Sequence, residues 1–283
     1  MSNDNKSELS DLSIPERAVA KLNSHEEPKP PRRLLSVHAH PDDQEFTVGA
    51  TLAKWARLGT EIFTICITSG DAGSNEHTPP SMTKAELVRI REREQRAACG
   101  VLGIKDVVFL HYPDSMLTPS IELRRDLTRL IRKYKPDAVI CGDPTVRFYG
   151  NSYMNHPDHR VAADVTCDAV FPSAGTRFIF PELLDEGLEP HQVSRVFIHG
   201  SETPDAWIDT SEWLEFKICA LLQHASQLGT WDPHERMREW AHEEGKDHGL
   251  EFAEAFRIMV LREEKPGEET ERKEQPEYAE AEG

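Results

Sequence analysis

The chain has 283 residues, 38% of them hydrophobic, which is enough apolar material for one large domain or two small ones with a packed core. Its formal net charge of -17, from 50 Asp and Glu against 33 Lys and Arg, excludes nucleic acid and anionic membrane surfaces as partners and favours a neutral or cationic small molecule. No apolar run approaches the roughly 20 residues that a bilayer span needs, and the opening MSNDNKSELSDLS lacks the apolar stretch of a secretory leader, so a cytoplasmic location is expected.

Residues 1–31 mix charge with Pro and Ser and end in EEPKPPRR, a composition that predicts a flexible N-terminal arm. From residue 32 onward, short apolar runs alternate with helical patterns. LLSVHA precedes a helix over about Phe46 to Leu58, and EIFTICIT precedes one over about Thr83 to Leu102. DVVFLHY precedes a helix over about Ile121 to Tyr134, and DAVICG one over about Asp158 to Ala169. Runs that are apolar throughout, rather than alternating, suit strands covered on both sides. Four β-α units in succession therefore predict an α/β fold with a Rossmann-like open, mostly parallel sheet and helices on both faces. VSRVFIHG and the weaker AWIDT extend or flank that sheet, and helical patterns follow over about Ser211 to Leu222 and Pro233 to Glu244. No repeat or linker interrupts this stretch, so 32–262 reads as a single domain, and the Glu-rich 263–283 as a disordered acidic tail. The five cysteines are odd in number and widely spaced, and they read as reduced core thiols.

In open α/β sheets, ligands sit beyond the carboxyl ends of the strands. The first strand runs into His38-Ala39-His40-Pro41-Asp42-Asp43-Gln44-Glu45, and the fourth ends at Cys141-Gly142-Asp143-Pro144. After a loop comes Asn155-His156-Pro157-Asp158-His159-Arg160, with Pro157 suited to the first helical position and His156 and His159 three residues apart. Imidazole and carboxylate are the ligands of a catalytic zinc, normally three from the protein, and His40, Asp43 and His159 could supply them. Asp42 then suits a base acting on water, and His156 a group that polarises an oxyanion or protonates a leaving amine. An Asp before a helix is ordinarily an N-cap, and a His at a strand end is ordinarily packed or solvated. Two such clusters at the ends of different β-units are not explained that way.

HAHPDDQE, TSGDAG (Thr68 to Gly73), RERE followed by CGVLG (Arg91 to Gly103), and NHPDHR together resemble the PIG-L/LmbE-like family of zinc N-deacetylases over about Leu34 to Leu261. EAFRIM (Glu254 to Met259) adds a resemblance to the branch containing the diacetylchitobiose deacetylases. The resemblance implies removal of an N-acetyl group from an N-acetylglucosamine-containing sugar, with Zn2+ or another divalent metal on His40, Asp43 and His159. It implies Asp42 as general base, His156 at the oxyanion or leaving group, and Arg91 and Asp114 as substrate-binding residues. Where some members carry a tyrosine two residues before the first His of HPDH, this chain has Met154, with Tyr153 one position earlier. Trp231 suits a pocket rim, and His224 resembles a position near the metal. Two other readings stay open: a metal-dependent amidase acting on a non-sugar N-acylated metabolite, and a non-catalytic Rossmann-like binding module. Neither the sugar nor the subunit number, homo-oligomer included, follows from the residues.

Overall fold

The computed structural model describes residues 27–262. The expected acidic tail and all but residues 27–31 of the expected arm lie outside the described residues. In chain order the first half comprises β1 (Arg33–His38), α1 (Asp43–Thr47), α2 (Gly49–Arg57), β2 (Glu61–Thr68), α3 (Lys84–Leu102), β3 (Asp106–Tyr112), α4 (Ile121–Tyr134) and β4 (Ala138–Gly142). The second half comprises β5 (Phe148–Tyr149), β6 (Tyr153–Met154), α5 (Pro157–Asp168), α6 (Glu182–Asp185), β7 (Arg195–His199), β8 (Ala206–Asp209), α7 (Leu214–Leu221), α8 (Ala225–Leu228), α9 (His234–Gly245) and β9 (Ala253–Val260).

Seven strands form one sheet in the order β3-β2-β1-β4-β7-β9-β8. The five strands from β3 to β7 pair in parallel, whereas β9 runs antiparallel to both β7 and β8. The sheet is thus mixed but mostly parallel, as the apolar runs predict. Alternate strand residues feed two cores. Leu35, Val37, Ile65, Ile67 and Val139 pack on Leu123, Leu127 and Ile131 of α4 and on Ala162 and Val165 of α5. Leu34, Ile62, Cys66, Ala138 and Ile140 pack on Leu52 and Trp55 of α2, Ala98 and Leu102 of α3, and Ala220 of α7. Helices therefore cover both faces, which is why the strands carry apolar residues at every position. Strand order reverses at β1, with β2 and β3 on one side and β4 and β7 on the other. The crevice beyond the carboxyl ends of β1 and β4 is the switch point where such sheets bind ligands.

Helix ends follow local chemistry. Thr83 caps α3 in a reciprocal capping box with Glu86, and Gly103 ends it in the left-handed conformation; Ser120 caps α4 through Leu123 N–H. The helix expected over Phe46 to Leu58 starts earlier and is broken at Val48, whose φ of -123° separates α1 from α2. The break frees the first amides of α2, and Glu254 of β9 accepts from Ala50 N (3.1 Å) and Thr51 N (2.8 Å) while pairing with Lys217 Nζ at 2.7 Å. Both partners of this ion pair are only 5% exposed. Removing one charge of a buried pair strands the other, so Glu254→Gln is expected to lower unfolding stability by about 3–5 kcal/mol, read as a lower urea midpoint at unchanged slope. The five cysteines are free, but only Cys66, Cys99 and Cys141 are buried; Cys219 is exposed, correcting the core assignment for that thiol.

Candidate metal centre and active site

The turn after β1 is tied down first. Ala39 O accepts from both Thr68 N and Thr68 Oγ1 at 2.9 Å, binding the turn to the end of β2. His40 N–H donates to Asp43 Oδ2 at 2.8 Å, so residues 40 and 43 face one way. From the other side, α5 begins at Pro157 with His156 as its N-cap, and His156 Nδ1 accepts the N–H of Asp158 at 3.2 Å. One turn later His159 Nε2 lies 3.2 Å from His40 Nδ1 and 3.0 Å from Asp43 Oδ1, while Asp43 Oδ2 lies 3.5 Å from His40 Nδ1. The His156 ring stands 4.9 Å from the His40 ring and 5.2 Å from the His159 ring, centroid to centroid.

These separations suit a cation. Zinc bonds of 2.0–2.1 Å in a tetrahedron put neighbouring ligand atoms about 3.3 Å apart, and the donor set straddles that value, with Asp43 turning one oxygen to each imidazole. Among the described residues two groups place one ligand atom each within 4.8 Å of one another: His40, His156 and His159, and His40, Asp114 and Asp158. They sit on opposite edges of one ring. His40 Nδ1 faces His159 and Asp43, whereas Nε2 faces Asp114 Oδ1 at 3.0 Å and Asp158 Oδ2 at 3.3 Å. A ligating imidazole ordinarily donates its other N–H to a carboxylate, which fixes the tautomer and the ring plane. Asp114 and Asp158 are built for that part: Asp114 Oδ2 accepts Ala72 N–H at 2.9 Å, and the fully buried Asp158 accepts Ser115 N–H at 2.7 Å and Leu117 N–H at 3.2 Å.

The field at the centre favours positive charge. Burial alone would lower the His40 imidazole, but Asp43, Asp114 and Asp158 override it and push it up to about 12. Burial opposes ionisation of Asp43, yet His159 and His40 hold its carboxyl well below the usual range. Carboxylates that raise the proton affinity of a neighbouring imidazole stabilise a divalent cation for the same reason.

Asp42 is held by a different set of contacts. Its backbone is left-handed, with φ of +91°, a conformation that costs a non-glycine residue on the order of 1 kcal/mol. Two side chains of α3 hold it there. Gln95 Oε1 accepts Asp42 N–H at 2.8 Å, and Arg91 Nη2 donates to Asp42 Oδ2 at 3.0 Å and to Pro41 O at 2.7 Å. Arg91 Nη1 donates to Gly70 O at 3.1 Å. A Cβ on Gly70 or Gly73 would fall 2.1 Å or 2.3 Å from Arg91 Nη1, so the glycines of TSGDAG leave room for the guanidinium. Burial pushes the Asp42 carboxyl up to about 6 against the pull of Arg91. Beneath the turn, Gln95 Nε2 and Gln44 Nε2 donate to Glu45 Oε1 at 2.9 Å and 2.8 Å, and His224 Nε2 lies 3.4 Å from Glu45 Oε2, with His224 and Glu45 both fully buried.

The structure therefore brings His40, Asp42, Asp43, His156 and His159 to one crevice. Arg91 and Asp114 lie beside them, buried, with Arg91 turned onto Asp42 and Asp114 onto His40. Sequence reasoning left out Asp158, reading it alone as a cap, and Gln95 altogether. Gln95 stands four residues after Arg91 on the same helix, a spacing that shares one face.

The family model described as "PIG-L: GlcNAc-PI de-N-acetylase" matches residues 35–170. A probable N-acetyl-alpha-D-glucosaminyl L-malate deacetylase 2 of Bacillus anthracis is 31% identical over 206 residues, covering 70% of this chain and 83% of that protein. This chain belongs to the PIG-L family. A diacetylchitobiose deacetylase of Thermococcus kodakarensis is 29% identical over 233 residues, covering 81% of this chain and 83% of that one. The solved structure of N,N'-diacetylchitobiose deacetylase from Pyrococcus horikoshii is similar with a TM-score of 0.75 and 30% identity, covering 89% of this chain and 95% of its own. The PIG-L match runs from β1 to the end of α5 and contains every residue of the crevice, while His224, buried beneath the turn, lies beyond it. The β7, β8 and β9 strands and the helices α7, α8 and α9 lie beyond it.

Proposed function

We propose that the chain is a metal-dependent hydrolase that removes the N-acetyl group from an N-acetylglucosamine-containing sugar, with zinc or another divalent cation held by His40, Asp43 and His159. Relatives named as deacetylases of diacetylchitobiose and of glucosaminyl malate and inositol conjugates support the reaction class. The metal assignment rests on one observation: His40 Nδ1 and His159 Nε2, from two distant chain segments, stand 3.2 Å apart with one Asp43 oxygen turned to each, at 3.5 and 3.0 Å, and acceptors behind His40 orient its ring. A divalent cation held by these residues would supply Lewis acidity toward an amide carbonyl and an attacking water.

The protein's own groups divide the remaining work. Arg91 engages Oδ2 of Asp42, leaving Oδ1 to take a proton from the attacking water. His156 Nδ1 is occupied as acceptor of Asp158 N–H, so the neutral ring carries its proton on Nε2. That N–H is a donor to the carbonyl oxygen as negative charge develops on it. Burial lowers the His156 pKa, which favours this neutral form. Arg91 and Asp114 act as positioning residues in this reading, holding the base and the His40 ring.

The test is acetate release from N-acetylglucosamine or N,N'-diacetylchitobiose. Stripping the metal with a chelator is expected to bring turnover to background, and stoichiometric zinc to restore it. A metal-loaded protein that releases no acetate from any such sugar would overturn the assignment.

A further inference from the structure

Under the turn that carries the catalytic groups lies a buried polar network to which the reaction gives no task. It starts at the backbone of Asp42, whose N–H donates to Gln95 Oε1 at 2.8 Å. Gln95 Nε2 donates in turn to Glu45 Oε1 at 2.9 Å, and Gln44 Nε2 donates to the same oxygen at 2.8 Å. The other oxygen, Glu45 Oε2, faces His224 Nε2 at 3.4 Å. Gln44, Glu45, Gln95 and His224 are each 1% exposed or less, so no water substitutes for these partners. Both ends are anchored. Thr64 Oγ1 of β2 donates to Gln44 Oε1 at 2.8 Å, and Ser226, two residues past His224, donates from N and Oγ to Glu94 of α3 at 2.9 and 2.6 Å.

Direction is what the network conveys. The two ends of a glutamine amide are alike in size, and the groups they meet decide which end points where. Asp42 presents an N–H, so Gln95 has to turn its oxygen there and its NH2 away; a flipped amide would set N–H against N–H. A carboxylate at the far end accepts without donating and so holds the first orientation. The Thr64 hydroxyl sets Gln44 in the same sense, and two glutamines then place an N–H on one Glu45 oxygen. At its other end the network meets the backbone of Asp42 at φ of +91°, a conformation that persists only where its surroundings hold it. The metal side of the turn has its own supports, Thr68 on Ala39 O and His40 N–H on Asp43. We infer that Glu45 and Gln95 are positioning residues for the base: Glu45, backed by His224, fixes the Gln95 amide, which holds Asp42 in the backbone conformation that aims its carboxylate. The inference rests on the reading of Asp42 as the base, and through His224 it gives the segment beyond the PIG-L match a hold on the catalytic turn.

The experiment measures kcat and KM on N,N'-diacetylchitobiose for zinc-loaded wild type, Gln95→Met, Glu45→Met and Glu45→Gln, each also in the Asp42→Asn background. Gln95→Met and Glu45→Met are expected to lower kcat by about 10- to 100-fold with KM little changed and zinc content intact. Glu45→Gln still offers Oε1 to both glutamines and is expected to recover most of that loss. In the Asp42→Asn background the base is already gone, and Gln95→Met is expected to cost less than about 2-fold more. A buried pair that served stability alone predicts Glu45→Gln as slow as Glu45→Met and the same factor in both backgrounds, and either result overturns the inference. Amide hydrogen exchange needs no substrate and so separates this from failure of the parent reading. The Asp42 amide is expected to exchange about 10-fold faster in Gln95→Met and Glu45→Met than in wild type and Glu45→Gln, even if none of them hydrolyses the sugar. Equal exchange rates refute the inference. Should Glu45→Met not fold, Gln95→Met cuts the same network one bond nearer Asp42 and carries both readouts.

Discussion

Asp42→Asn is expected to lower kcat on the order of 10³-fold while the protein keeps its metal and its fold, as measured by acetate release and by elemental analysis of the purified variant. Asn has the shape of Asp, tolerates left-handed backbone, and offers an amide oxygen to Arg91 Nη2 in place of the 3.0 Å carboxylate contact. The backbone N–H that donates to Gln95 Oε1 is untouched, so the turn that aims His40 and Asp43 stays in place. What is lost is the capacity to take a proton, because an amide oxygen is not a base near neutral pH. The loss should therefore fall on kcat, with KM little changed, as for an interaction needed in the transition state alone. A variant that lost the metal along with turnover would mean that Asp42 is a ligand and that the division of labour between adjacent aspartates is wrong.

The candidate centre is legible in the sequence because the side chains that the fold brings together there sit within two short motifs, and each motif lies where a β-strand gives way to a helix. His40 and Asp43 are three residues apart in one turn, and His156 and His159 flank a proline that starts a helix. Their supports are less legible, since direction depends on packing. Arg91 lies in a charged helical run that a solvated face would explain equally well, and it is the burial of its side chain, its hydrogen bonds to Pro41 O, Asp42 and Gly70 O, and the close approach of Gly70 and Gly73 that show it points inward. TSGDAG carries no phosphate-cradle spacing, and the reason for its glycines appears only once a guanidinium fills the space above them. Asp158 carries the signal of a helix cap, yet it lies fully buried behind His40. In the fold, the helix α4 matches its expected span because Ser120 and the left-handed Lys135 mark its ends. The strand β9 escapes the pattern because a charged residue, Glu254, occupies an inward position and is tolerated there only through Lys217 and the amides of α2. The hairpin of β5 and β6 has two residues per strand, too few for any period to register.

His159→Ala should produce the opposite pattern to the Asp42 variant: a folded protein without stoichiometric metal and without turnover at any zinc concentration near that sufficient for wild type. His159 is on the first turn of α5, and its side chain is 34% exposed, so truncation opens little core and leaves the sheet intact. Only His40 and Asp43 then remain of the three donors. Deleting a partner that merely supports a ligand costs about 10- to 100-fold in metal affinity, and removing the ligand itself should exceed that. Asp114→Asn supplies the intermediate case, because it weakens the carboxylate behind His40 Nε2 and leaves every proposed ligand atom in place. The expected order of zinc affinity is wild type, then Asp114→Asn, then His159→Ala. If His159→Ala kept its metal while Asp114→Asn lost it, the cation would belong to His40 Nε2 with Asp114 and Asp158 on the far edge of the same ring, and the proposed reaction centre would move with it.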